Sequence, residues 1–165
     1  MQFFSVFLLL LGVSLGLAAP SELQEVKLER GGCPMFWYSY NGRCYKYVAT
    51  HTNWADAELQ CVSQGANLVS IHSVEENNFV KNLIKNFDHK QGETWIGLSD
   101  IHKEQYWMWS DGWPLRFQLW NSGEPNNVAG NEHCVVINWS AEKNWNDFRC
   151  SENAPSVCAT RKPVC

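Results

Sequence analysis

The chain has 165 residues, a formal net charge of −4, nine tryptophans and seven cysteines. One ordinary domain fits that length, and Lys and Arg never gather into the basic stripe that a nucleic-acid partner would require. No CxxC pair or HExxH helix occurs, and the single GxSxG, at residues 12–16, lies inside the N-terminal apolar run, so cysteine-ligated zinc, metalloprotease and serine-hydrolase readings lack support and no enzyme is expected.

Residues 1–19 form an apolar run ending in small residues, the pattern of a secretory signal peptide cleaved near Ala18 or Ala19. The run is shorter than the roughly 20 residues wanted for a membrane span, and no later segment is apolar enough to cross. A secreted, extracellular protein is expected, and in that compartment the cysteines read as a disulfide framework. Their number is odd and their spacing leaves the pairing open. Cys165 lies beyond the last hydrophobic run, a natural place for an intermolecular bridge, with a capped thiol as the alternative.

Residues 20–32 are a charged leader with little to pack on. "CPMFWYSYNGRCYKYV" places Asn-Gly between two aromatic runs and predicts a tight hairpin, with Cys33 and Cys44 closing across it. In "TNWADAELQC", Thr52 is the candidate N-cap of a helix that buries Trp54, Ala57 and Cys61. A second helix follows, with Ser73 and Glu76 as a capping box and Val80, Leu83, Ile84 and Phe87 on one face. From Thr94 the pattern changes to short β-like runs, "TWIGL", "YWMW", "CVVINW" and "PSVCA". Helices first and strands after predict an α+β fold. The stretch from Gly112 to Glu132 is too long for a simple turn, and Trp113, Phe117 and Trp120 are expected to order it with a small core of its own.

Within that stretch, "GEPNNVAGNEHC" is nearly devoid of apolar residues. Calcium takes about six to eight oxygen ligands from carboxylates, amides and carbonyls. Glu124, Asn126 and Glu132 offer such groups, and "WND" adds Asn146 and Asp147. Magnesium fits less well, because it demands tighter octahedral geometry.

Taken together, Cys33-Pro34, Trp37, Cys44-Tyr45, the helix ending at Cys61, "WIGL" at 95–98, "EPN" at 124–126, Cys134, "WND" at 145–147, Cys150 and Cys158 resemble a long-form C-type lectin domain. The resemblance runs in order from Cys33 to Ala159. It extends to the small secreted single-domain lectins of fish plasma, mucus and venom, a group that includes the type II antifreeze proteins. It implies a double-loop fold with two helices, short antiparallel sheets and a long calcium-binding loop, filling residues 33–160 and leaving 161–165 as a tail. It also implies three bridges, Cys33–Cys44, Cys61–Cys158 and Cys134–Cys150, and a cis bond before Pro125.

By the same resemblance, Glu124, Asn126, Glu132, Asn146 and Asp147 hold a Ca2+ ion at which two neighbouring sugar hydroxyls bind. The "EPN" form goes with mannose-type sugars, and "NNVAGNEH" lacks the tryptophan on which galactose stacks in the galactose type. Mannose-like glycans on microbial or cell surfaces are the implied partners, with a role in innate immunity. Alternatives are galactose binding despite "EPN", or the same fold turned to a protein receptor or to ice, although no repetitive Thr-rich face is present. An auxiliary calcium site would use Asp100, Glu104 and Asn127, but the aspartates expected at Asn127 and His133 are replaced, which weakens such a cage. His133 is read as a solvated loop histidine, with acid-sensitive calcium release as the alternative. Asn138-Trp139-Ser140 is a glycosylation sequon, and Trp113 is the tryptophan worth testing as a ligand contact.

Overall fold

Asn41 and Gly42 both adopt positive φ, 44° and 76°, the two-residue reversal whose twist suits paired strands. In the computed structural model, which describes residues 27–160, this turn joins β1 (Tyr38–Tyr40) to β2 (Arg43–Thr52). The expected signal peptide, residues 20–26 of the leader and Cys165 lie outside the described residues. The rest of the leader is not structurally silent. Leu28 packs against the main core, and the Glu29 carbonyl accepts the Ser39 N–H at 2.7 Å.

Helix α1 (Trp54–Val62) buries Trp54, Ala57 and Cys61 as expected, but its N-cap is Asn53 rather than Thr52. The Asn53 side chain accepts the Asp56 N–H at 2.9 Å, whereas Thr52 is the last residue of β2. β3 (Asn67–Leu68) leads to α2 (Val74–Phe87), capped by Ser73, which accepts the Glu76 N–H at 3.1 Å. The reciprocal half of the capping box is not made. Glu76 instead accepts the His72 N–H, the Tyr45 hydroxyl and the Arg43 guanidinium, each at 2.6 Å. Oε1 thus compensates the buried Arg43 charge, which would be costly without a partner, while Oε2 takes the amide one residue ahead of the cap.

The remaining strands are β4 (Thr94–Ser99), β5 (Met108–Trp109), β6 (Cys134–Trp139), β7 (Asn144–Phe148) and β8 (Ala154–Ala159). All join one sheet in the order β1-β2-β8-β4-β6-β7, with β3 on β8 and β5 on β4. Short antiparallel sheets were expected; the ladders are antiparallel except where Trp95 of β4 meets Ser156 of β8 in parallel. That contact fuses the two groups of strands into one mixed sheet.

Alternation along the central strands feeds two cores. Ile96, Leu98, Val135, Ile137 and Val157 face the cluster built on α2, while Trp95, Cys134, Val136 and Cys158 face the cluster that holds the buried side of α1. The strands are thus buried on both faces, as in sheets covered by helices on each side. The bridges Cys33–Cys44, Cys61–Cys158 and Cys134–Cys150 are all formed, and all are gathered on the α1 side.

Gly97 sits where nothing larger fits. A Cβ there would come within 2.6 Å of the Leu68 carbonyl oxygen and 2.9 Å of Ser110 Oγ, which accounts for the small residue inside "WIGL".

Candidate metal centre

The long segment between β5 and β6 is not held by a core of its own. Phe117 and Trp120 set their rings edge-on to Trp145 of β7, at 5.7 and 6.0 Å, and Trp107 lies 4.9 Å from Trp120. Trp145 is fully buried and donates its indole N–H to Asn77 of α2 at 2.8 Å. The loop is therefore anchored to the main core through β7. Trp113, expected in the loop core or at a ligand, packs beside His72 at 5.5 Å; Trp107, not Trp113, borders the cavity under the loop.

Beyond this anchor the backbone is irregular. The Glu124–Pro125 bond is cis, and Gly123, Asn127, Ala129 and Gly130 all have positive φ. β7 supplies the fastening: Asp147 Oδ1 accepts the Asn126 N–H at 3.1 Å and Oδ2 accepts the Asn127 N–H at 2.6 Å. On the far side of the loop, Glu132 Oε2 and Asn126 Oδ1 both accept the Val128 N–H, at 3.0 and 3.2 Å. The Glu132 N–H donates to Asn127 Oδ1 at 3.0 Å. The Cys134–Cys150 bridge, two residues after Glu132 and three after Asp147, ties the two pieces covalently.

Glu124, Glu132 and Asp147 are consequently neighbours, with Asn126 between them and Asn146 buried beside Asp147 on β7. Glu124 Oε2 is buried and has no hydrogen-bond partner. Burial first, and then Asp147 and Glu132, push the Glu124 carboxyl up to about 7. Such a set of hard oxygen donors, one of them orphaned and repelled by like charge, matches the chemistry of a calcium ligand set.

The acidic positions expected at the auxiliary site also converge, but not around an empty cage. His133 is not a solvated loop residue: its side chain is 30% exposed, and Nδ1 lies 3.0 Å from Asp100 Oδ1 and 3.2 Å from Glu104 Oε2. Asn127 Nδ2 donates to Glu104 Oε1 at 2.7 Å, linking this group to the neighbouring loop. The family resemblance had placed these positions at one site, but the direct pairing of His133 with Asp100, 33 positions away, was not anticipated. Their register is set by the β4–β6 ladder, with Ser99 opposite Cys134.

A third group escaped notice in the sequence. Arg43 donates to Glu76 and to the Ser70 carbonyl and hydroxyl, and Ser70 in turn bonds Asp111 and His72, all in the interior between β2, α2 and β5. Asn138, the sequon residue, is 1% exposed. It lies in β6 with its amide facing the Gly92 carbonyl at 3.5 Å, so the folded domain offers no room for a glycan there.

The Lectin C-type domain family matches the chain over residues 50–160. The lactose-binding lectin l-2 of Anguilla japonica is 42% identical over 135 residues, covering 79% of this chain and 80% of that protein. The C-type lectin mannose-binding isoform of Oxyuranus scutellatus is 39% identical over 133 residues, covering 78% and 84% respectively. Among solved structures, the herring type II antifreeze protein is similar with a TM-score of 0.73 and 36% identity, over 78% of this chain and 98% of that one. With the family's span, three bridges and mixed α+β architecture all present, the chain belongs to the C-type lectin domain family, one of binding proteins rather than enzymes.

Proposed function

We propose that the domain, residues 33–160, is a calcium-dependent lectin in which Glu124, Asn126, Glu132, Asn146 and Asp147 hold one Ca2+ ion and a mannose-type sugar upon it. The observation that carries this reading is the orphaned, buried Glu124 Oε2 beside two further carboxylates. Bound calcium would neutralise that charge and accept two sugar hydroxyls as ligands. The chain's own groups set the orientation: a carboxylate such as Glu124 only accepts hydrogen bonds, whereas the Asn126 amide also donates. That asymmetry, with no tryptophan in "NNVAGNEH" on which galactose could stack, favours mannose-type hydroxyls. Relatives named for lactose and for mannose support sugar binding at large and leave the choice between them to experiment.

A two-hydroxyl contact at a shallow site should be worth about −4 kcal/mol, a millimolar affinity. Clustering is then part of the function, and a Cys165-linked pair of chains, raising avidity by roughly 10²–10⁴, provides it. Secretion accords with the three bridges, since an oxidising compartment keeps them. Microbial or host-cell glycans are the partners this reading names, with innate defence as the setting.

Retention on mannose-agarose in millimolar calcium, with release by chelator, is the expected result. Retention only on galactose-agarose would keep the lectin and reject the "EPN" assignment. The herring antifreeze neighbour favours one other reading, ice binding. Thermal hysteresis without retention on either sugar would establish it in place of the lectin.

A further inference from the structure

Pro34 to Trp37 form a turn closed by the Trp37 N–H on the Pro34 carbonyl at 3.1 Å. Its third residue, Phe36, has φ 67°, a left-handed conformation that suits glycine and strains a bulky side chain. The same conformation leaves the ring in solvent. No large apolar side chain among the described residues is more exposed than Phe36, at 68%, and Met35 beside it stands at 64%. Trp37, the next residue, is buried with Cys44 in the α1-side core. A glycine would satisfy the turn and remove the exposed ring, so neither local geometry nor the core accounts for Phe36. Backbone strain under an exposed apolar tip points to a contact made outside the chain's own domain.

The chain leaves the described domain at the same place. Thr160 is locked onto Cys44: its N–H donates to the Cys44 carbonyl at 2.9 Å, and its hydroxyl accepts the Cys44 N–H at 3.0 Å. Arg43 Nε donates to the Thr160 carbonyl at 3.0 Å. Cys44 is bridged to Cys33, whose Cα lies 5.7 Å away and which directly precedes the turn. Cys165 follows Thr160 by five positions, a reach of about 17 Å at most. Two chains joined through Cys165 therefore have tails long enough for their Pro34–Trp37 turns to meet. Leu28 of the leader does not cover the turn, being packed on the α2-side core.

We infer that Met35 and Phe36 are the contact through which two copies of this chain pair about a two-fold axis. The inference rests on the Cys165 link proposed above and not on calcium or sugar. Two side chains are too small a patch to hold a dimer alone, for which about 1,000 Å² or more is usual. A short covalent linker raises the effective concentration of the second copy into the millimolar range, where a small apolar contact can close. In a two-fold pair each Phe36 ring meets the Met35 of the other copy, a sulfur–aromatic contact. Contact at the turns gives the pair one orientation, instead of leaving the domains swinging on their tails.

Met35 and Met108 are the methionines of the described residues, and both are exposed. Oxidation by dilute peroxide, read by peptide mass, therefore reports on the turn with Met108 as internal reference. The wild type is expected to sediment as a disulfide-linked dimer under non-reducing conditions. Its Met35 should oxidise at least about five-fold more slowly than that of Cys165→Ser, diluted until it sediments as a monomer, with Met108 unchanged. Phe36→Gly is expected to keep the covalent dimer while bringing Met35 to within about two-fold of the Cys165→Ser rate. In the Cys165→Ser background, Phe36→Gly should melt no lower than its parent, since glycine takes the positive φ without strain. A monomeric wild type would overturn the Cys165 link and this inference together. A covalent dimer whose Met35 oxidises as fast as in Cys165→Ser would overturn this inference alone. So would a lower melting temperature for Phe36→Gly, which would assign the ring to the stability of its own domain.

Discussion

At the scale of single residues, the ionised Glu124 carboxylate works against the fold when no cation neutralises it. Its carboxyl is pushed up to about 7 by burial and by Asp147 and Glu132. A carboxyl whose folded value lies above its ordinary one favours the protonated protein, so stability in chelator should fall as pH rises from about 4.5 through 7. Glu124→Gln removes the charge and keeps the shape. In chelator it is expected to melt at a higher temperature than the wild type at pH 8, with the difference vanishing near pH 4. The same variant should lose most of its thermal stabilisation by millimolar calcium. A wild type that keeps constant stability across that range would contradict the account. Asn138 supports a second prediction at this scale. Its amide is buried against Gly92, so the secreted protein treated with an N-glycosidase should show no change in mass. A sequon tells where a glycan could be attached; it carries no information on whether the side chain points outward.

Among elements, β4 is the least tolerant. Every residue of Thr94–Ser99 is buried, and Gly97 lies against the backbone of β3. Gly97→Ala forces a methyl into the Leu68 carbonyl, and since backbone must move to admit it, a loss of about 1–3 kcal/mol in urea unfolding is expected. A neutral result would mean that β3 can shift freely. The helices and β4, β6 and β8 were legible because their apolar periods, 3.6 or continuous, are local properties of the chain. β7 was not: "NWNDF" is mostly polar, and it becomes a strand because Val135 and Val136 of β6 pair with Asp147 and Asn146. The site shows the same division. The five positions proposed to hold calcium were named from composition and a family resemblance, whereas the pairing of His133 depended on partners brought from a distant strand.

Across the whole molecule, covalent and apolar reinforcement is uneven. The bridge with 97 residues between its cysteines joins α1 to β8 and constrains most of the chain, and all three bridges lie on the α1 side. By the chain-entropy argument such a long loop is worth about 4–5 kcal/mol. The loop at 123–132, in contrast, is fastened by Asp147, by the Trp107–Trp120–Trp145 contacts and by one bridge at its root. Its upper part has exposed backbone and clustered carboxylates, so its local opening should cost far less than global unfolding. Calcium that binds only the closed loop stabilises the native state by about 2.7 kcal/mol at a concentration one hundred times its dissociation constant. For a domain of this size that corresponds to a rise of roughly 6–10 °C in Tm. Hydrogen exchange should locate the effect: in calcium, amides of residues 123–132 slow markedly, while those of α2 and β8 slow only where global unfolding governs them. If protection rises uniformly instead, the loop and the core open as one unit, and the uneven distribution of staples does not divide the domain into a rigid body and an ion-ordered lobe.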